Sequence, residues 1–478
     1  MRILHVTGEV QPLMKTGGLA DVCASLPRAS QRLGADVRIL MPAYRDALSR
    51  ARDAQPVAAL RVAGAPGAVS ILETRLPDHG PTVWLLDYPP CFDRPGNPYL
   101  DDSTGKPWPD NAERYALLCR AAAIIARDKA GLGWQPDAVH AHDWQAGLVA
   151  PLLSDGPHPR TVFSIHNMAY QGLFDRATFD ALGLPAAWWS LHALEFFGKL
   201  SFIKGGIVYS DWVTTVSPSY AREIQTPAFG YGLEGLLRHR AAHLVGIVNG
   251  IDGQEWDPRT DKHLVRNYGI GSWIHKAENK RALRDDFGLP ALEMPLIGSI
   301  GRLVEQKGID LILTALETVA DSAQWVFLGS GEKQYEQALS DLALRHPEHV
   351  GVELGYSERL AHRVEAGADF FLMPSRFEPC GLNQMYSMRY GTPPIVHKTG
   401  GLADTVVHAD AQTLADGTAT GVVFASPDTT ALRAALNEAL ALYRRPKDFK
   451  RVALAGMRRD FGWTESARRY HELYEREP

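Results

Sequence analysis

Short apolar runs alternate with longer stretches of helical period along most of the chain. Arg2–Thr7, Asp36–Met41, Thr82–Leu86, Ala138–His140 and Thr161–Ile165 are β-rich runs of strand length. Helical patterns lie between them, as in Leu19–Leu33 and Asn111–Asp128. Strands that alternate with helices in this way predict parallel sheets of Rossmann type. The pattern restarts after about residue 290, with a strand at Pro295–Ile300 and a helix at Ile309–Asp321. Trp325–Leu328, Phe370–Met373 and Pro394–Val396 read as further strands. Asp252–Pro290 is charged, polar and helix-prone, without an apolar strand of its own, and reads as a connection. Trp463–Glu475 is an amphipathic helix. The expected fold class is therefore α/β, with two Rossmann-like domains. Their expected bounds are residues 1–250 and 291–460, joined by 251–290 and followed by a terminal helix in 461–478.

Composition narrows the function classes. At roughly 150 residues per domain, 478 residues allow two or three domains with real cores. The net charge of −5 and the lack of a Lys/Arg run argue against broad nucleic-acid binding. Basic residues stand singly in Gly-rich loops, which suits small anionic ligands. Four cysteines (Cys23, Cys91, Cys119 and Cys380) form no CxxC pair and fit a reducing compartment. Met1–Val10 reads as a buried strand and not as a signal peptide or membrane span, so a cytoplasmic protein without membrane partners is expected.

One string occurs twice. Lys15-Thr-Gly-Gly-Leu-Ala-Asp21 returns as Lys398-Thr-Gly-Gly-Leu-Ala-Asp404, each copy between a strand and a helix. The copies fit two similar domains facing each other across a cleft, although convergent use of a helix-start signal would also give them.

Several loops carry candidate chemistry. Gly301-Arg-Leu-Val-Glu-Gln-Lys307-Gly308 follows a buried strand and precedes a helix. Arg302 and Lys307 can close on one anion there, helped by helix N-terminal N–H groups. Fixed cations of this kind stabilise the charge of a departing diphosphate, whereas solvated surface cations would do nothing. Lys15-Thr16-Gly17-Gly18 allows close backbone approach to a ligand, but it is neither a Walker nor a GxGxxG motif, and a plain tight turn explains it equally well. Arg376-Phe-Glu378-Pro-Cys380-Gly-Leu-Asn-Gln384 places a carboxylate after a strand, where doubly wound folds bind ligands. Glu378 can accept hydrogen bonds from sugar hydroxyls, or else pair with Arg376 at the surface. His140-Ala-His142-Asp143-Trp144 carries part of a metal-ligand pattern, yet no third ligand stands out. In the simpler reading Asp143 binds sugar hydroxyls and Trp144 faces a sugar ring. His166-Asn167 and Asn249-Gly250-Ile251-Asp252 are weaker signals of the same type.

Taken in order, these strings resemble bacterial and plant glycogen/starch synthases, from Met1 to about Tyr474. Further strings that carry the resemblance are Tyr99-Leu-Asp101, Pro109-Asp-Asn-Ala-Glu-Arg114, Thr215-Val-Ser-Pro218, Glu223-Ile-Gln-Thr226 and Thr399-Gly-Gly-Leu402. The resemblance implies a GT-B fold and a metal-independent, cofactor-free, retaining transfer of glucose from ADP-glucose to the non-reducing end of an α-1,4-glucan such as glycogen. It places the acceptor with the N-terminal domain and the nucleotide sugar with the C-terminal domain. It implies that Arg302 and Lys307 hold the diphosphate. Glu378, with the backbone of Cys380, Gly381 and Leu382, would hold the glucosyl hydroxyls. His166 would bind the 6-hydroxyl, with its carbonyl near the anomeric carbon, and Asn249 would face the sugar. Lys15, Gly18 and Asp21 would line the nucleotide side, with Tyr356 beside the adenine. Tyr99, Asp143 and Trp144 would serve the acceptor, and the terminal helix would pack back onto the N-terminal domain.

A retaining enzyme often uses a carboxylate nucleophile, but these motifs offer none on the correct face. The resemblance implies same-face attack, with the departing phosphate taking the acceptor proton. Many two-domain transferases carry two glutamates eight positions apart; here Tyr386 stands in the second place. Two other readings stay open: a relative using UDP-glucose, and a glucan-binding protein without activity. A phosphorylase is disfavoured because its pyridoxal phosphate strings are absent.

Overall fold

The structure, a computed structural model, describes residues 1–477. The chain forms two compact units. Unit 1 holds Met1–Gly250 and the segment from Trp463 onward, and unit 2 holds Ile251–Gly462.

Unit 1 is built on a nine-stranded sheet. Its strands are β1 (Arg2–Val6), β2 (Asp36–Pro42), β3 (Gln55–Arg61), β4 (Ala68–Arg75), β5 (Thr82–Asp87), β6 (Ala138–His142), β7 (Arg160–Ile165), β8 (Trp212–Thr215) and β9 (Leu244–Gly246). Their order is β9-β8-β7-β6-β1-β2-β5-β4-β3. All pairs are parallel except β5–β4 and β4–β3. That antiparallel edge was not foreseen. β3 is mostly exposed, and its short apolar stretch Val57–Leu60 holds two alanines, which carry little strand preference. Helix Gly18–Arg32 packs against helix Trp463–Glu475. Val22, Leu26, Trp463, Ala467, Tyr470 and Tyr474 share one core with Ile3, Val162 and Trp212 of the sheet. The terminal helix is thus part of unit 1.

Unit 2 carries six parallel strands: β10 (Leu296–Ile300), β11 (Gln324–Gly329), β12 (Val350–Leu354), β13 (Phe370–Met373), β14 (Pro394–His397) and β15 (Val422–Phe424). Their order is β12-β11-β10-β13-β14-β15, the doubly wound order with its reversal between β10 and β13. Phe370 and Leu372 enter one core while Phe371 and Met373 enter another. Both faces of the strand are buried, which is why its sequence is a continuous apolar run.

The stretch 251–290 belongs to unit 2 and is not a free connection. Helix Lys276–Asp286 packs on helix Glu358–Gly367. Lys276 is 5% exposed, and its Nζ donates to Ala366 O at 2.7 Å and Thr392 Oγ1 at 2.6 Å. Burial pulls its pKa down to about 7. A charged residue with every donor satisfied can sit in a core, which composition alone does not reveal.

Candidate active site

In unit 2 the strand order reverses between β10 and β13, so the loops leaving their C-terminal ends diverge and open a crevice. The first loop carries Arg302 and Lys307, and the second carries Glu378. Lys307 Nζ donates to Glu378 Oε2 at 2.5 Å, and Ser375 Oγ donates to the same oxygen at 3.1 Å. Glu378 is 7% exposed. Its partner is therefore Lys307, while Arg376 pairs with Asp310. The loops are also joined through main chain, with Arg376 N donating to Gln306 O at 2.9 Å. Gly308 has φ +71°, and a Cβ there would stand 2.3 Å from Pro374 O. Arg302 is exposed and its Nη2 lies 3.3 Å from Gln306 Oε1. Arg302, Lys307, Gly301 and Ser375 line one pocket.

The second copy of the repeated string holds the Glu378 loop from behind. A Cβ at Gly400 would stand 2.0 Å from Glu378 O, and one at Gly401 2.0 Å from Cys380 O. Gly401 N donates to Glu378 O at 3.1 Å. Gln384 Nε2 donates to the carbonyls of Cys380 and Gly381 at 3.0 Å each, and Leu382 caps the helix Asn383–Arg389. Tyr356 stands on the loop after β12, two strands out from β10, and is 81% exposed. Tyr386 does not point to a ligand position. It is 9% exposed and stacks flat on Trp256 at 3.8 Å.

Unit 1 has its own reversal between β6 and β1. Glu9, just beyond β1, is 2% exposed and organises the loop that follows. Its carboxylate accepts from Thr16 N at 2.5 Å, Thr16 Oγ1 at 2.6 Å, Gly17 N at 3.3 Å and Tyr99 OH at 2.7 Å. Sequence reasoning missed Glu9, because a single carboxylate has no signature and Tyr99 lies 90 residues away. Lys15 pairs with Asp21 at 2.7 Å. Burial raises the Asp21 pKa against the pull of Lys15. Gly17 and Gly18 are exposed, and a Cβ at either meets nothing within 4 Å. Asn249, beyond β9, is 7% exposed and its Oδ1 has no partner.

The loops after β6 and β7 hold a chain of imidazoles. His5 Nδ1 lies 3.0 Å from His142 Nε2, and His142 Nδ1 lies 3.0 Å from His166 Nε2. Burial lowers all three pKa values, to about 3 for His5 and about 4 for His166. Neutral rings can point their protons only one way along the chain. Running inward would leave His5 Nε2–H as a buried donor, and that atom has no partner. Running outward leaves only a bare lone pair there, which costs less than an orphaned N–H. His166 then keeps its proton on Nδ1, as a donor. His140 joins through ring contact only, because its nitrogens meet Tyr474 OH at 2.8 Å and Ser164 Oγ at 2.6 Å. His5 is thus the neighbour that completes a trio with His140 and His142. The ring nitrogens of the trio, apart from His5 Nε2, are already committed to hydrogen bonds.

Asp143 and Trp144 are both largely buried. Asp143 has φ +54°, and its Oδ1 accepts from His166 N at 2.7 Å. Burial raises its pKa to about 7, against the pull of the N–H groups of His166 and Asn167. Trp144 is 9% exposed and packs against Tyr115, Phe174 and Phe202, while a Cβ at Gly172 would stand 2.6 Å from its ring. Asp143 thus holds the His166 turn through Oδ1, and the indole joins an aromatic core.

The family model for the starch synthase catalytic domain matches residues 2–239, and that for glycosyl transferases group 1 matches residues 282–454. A glycogen synthase from Methylococcus capsulatus is 54% identical over 99% of this chain and 96% of its own length. One from Thioalkalivibrio sulfidiphilus is also 54% identical, over 99% of both chains. The catalytic domain of Arabidopsis thaliana starch synthase IV, solved with ADP and acarbose, superposes with a TM-score of 0.88 at 34% identity, covering 99% of this chain and 98% of that one. A sucrose-phosphate synthase from Thermosynechococcus elongatus, at 16% identity and TM-score 0.61, shares the fold. The chain belongs to the glycogen/starch synthase family of glycosyltransferases.

Proposed function

We propose that the chain transfers glucose from ADP-glucose to the non-reducing end of an α-1,4-glucan, with retention of configuration and in the cytoplasm. The observation that carries the reading is the Lys307–Glu378 pair at the strand reversal of unit 2, with Lys307 and Arg302 lining one pocket. Departure of ADP puts negative charge on the β-phosphate. Arg302 and Lys307 are cations already fixed where that charge develops, so little reorganisation opposes the step. Glu378 orients Lys307 and accepts from glucosyl hydroxyls, beside the Cys380–Leu382 backbone. His166 offers Nδ1–H to the 6-hydroxyl, and Asn249 offers its unpartnered Oδ1 to a sugar hydroxyl. Lys15, Gly18 and Asp21 serve the nucleotide side and Tyr356 the adenine. Tyr99 serves the acceptor side, whereas Asp143 and Trp144 act through His166 and the aromatic core. The phosphate oxygen freed at departure takes the acceptor proton as the new bond forms on the same face. The donor assignment is supported by the related starch synthase catalytic domain solved with ADP.

Incubation with glycogen and ADP-glucose tests the reading. It expects extension by α-1,4-linked glucose that persists in EDTA. A folded protein that retains glycogen but extends it with no nucleotide sugar would overturn it, and trapping of a covalent glucosyl-enzyme would overturn same-face attack.

A further inference from the structure

A second cluster of metal-type donors lies in unit 2, on residues the reaction does not use. One nitrogen each of His263 and His362 and one carboxylate oxygen of Glu358 lie within 4.8 Å of one another. Glu358 and His362 are four residues apart on the helix Glu358–Gly367 and so share a face. His263 reaches them from the segment after Asp261.

The environment of His362 is that of a ligand in waiting. It is 1% exposed, and its Nδ1 lies 2.7 Å from Asp261 Oδ2. Tyr390 OH donates to the same oxygen at 2.6 Å. A carboxylate behind Nδ1 fixes the proton on that atom and leaves Nε2 as an outward lone pair. Trp256 lies flat on the ring at 3.9 Å and sets its plane. Yet His362 Nε2 is buried without a hydrogen-bond partner, and so is His263 Nε2. Buried polar atoms are rarely left so, and here two face a shared carboxylate, with Glu358 Oε1 3.7 Å from His263 Nε2.

We propose that His263, His362 and Glu358 form a binding site for a divalent transition-metal ion of the zinc class, with Asp261 orienting His362. Two imidazoles and a carboxylate favour such ions over magnesium or calcium, which prefer all-oxygen sites. Three protein ligands leave a fourth position for water. Metal–nitrogen bonds of about 2.0–2.1 Å require the donors to draw together, and the half-exposed Glu358 side chain has room to move. The ion ties the segment around His263 to the helix Glu358–Gly367. No ligand belongs to the groups assigned to glucosyl transfer, so the ion is not needed for the reaction.

The test is calorimetric titration of the tag-free, EDTA-stripped full chain with zinc chloride, with magnesium chloride as control. One equivalent of zinc should bind with a micromolar or tighter Kd and raise Tm, while magnesium gives no signal. Replacement of His362 removes a packed ring and could unfold the unit, so the discriminating variants are the partly exposed His263→Leu and Glu358→Gln. Each should weaken zinc binding at least tenfold with an unchanged metal-free Tm. Absence of a one-equivalent transition, an affinity unchanged in both variants, or equal binding of magnesium would overturn the proposal.

Discussion

Lys307 Nζ lies 2.5 Å from Glu378 Oε2, joining the loops that leave the two strands flanking the reversal of unit 2. The pair places a cation and a carboxylate where neither could be placed by its own loop alone. Lys307→Ala should lower kcat on the order of 100-fold or more, the scale of losing one preorganised charge stabiliser. Glu378→Gln keeps shape and removes charge, and should cost a similar factor. Steady-state rates with circular dichroism as a folding control read both; a Glu378→Gln enzyme of nearly full rate would remove the charged role.

The imidazole chain makes a prediction about protons. His166 should be neutral and protonated on Nδ1 in the folded protein, and should not titrate between pH 8 and 5, since its pKa lies at about 4. Nitrogen-15 NMR of the histidine side chains distinguishes the tautomers. His166→Ala should lower kcat/KM on the order of 100-fold.

The pH dependence of stability follows with a definite sign. His5 has a native pKa of about 3 against the ordinary 6.5. Between those values the unfolded chain binds its proton and the native chain does not, so the His5 contribution is present above pH 6.5 and is lost as pH falls. Urea unfolding of wild type and His5→Leu should converge below pH 6.5 by about 1.4 kcal/mol per pH unit. A difference independent of pH would contradict the neutral chain.

The two copies of the repeated string should respond differently to the same change. Gly401→Ala drives a methyl into Cys380 O and should cost about 1–3 kcal/mol. Gly18→Ala meets nothing in the chain and should leave stability within about 0.5 kcal/mol, while raising KM for the donor. Thermal denaturation and donor titration separate the two effects.

Truncation after Asp460 should lower Tm sharply and abolish activity. It removes Trp463, Ala467, Tyr470 and Tyr474 from the core under the sheet, and with Tyr474 the partner of His140. A truncated chain with full activity would show that the helix is dispensable.

What could be read from sequence follows from what local pattern encodes. Phe370–Met373 was legible as a buried parallel strand because apolar residues fill both faces. Gln55–Arg61 was not, because its apolar stretch is short, alanine-rich and mostly exposed. The charged, polar composition of 251–290 reads as a connection, since charge usually marks surface and the burial of Lys276 is set by tertiary contacts. In the site, Arg302, Lys307 and Glu378 were legible from loops at strand ends. Glu9 and His5 were not, because their roles come from contacts 90 and 137 residues away. The aromatic packing of Trp144 was not legible for the same reason: its partners are set by tertiary structure.

The central claim is tested most directly by kcat/KM for glucose transfer to glycogen from ADP-glucose and UDP-glucose, measured side by side. The account predicts strong preference for ADP-glucose in the wild type and loss of that transfer in Lys307→Ala. Preference for UDP-glucose, or transfer undiminished in Lys307→Ala, would contradict it.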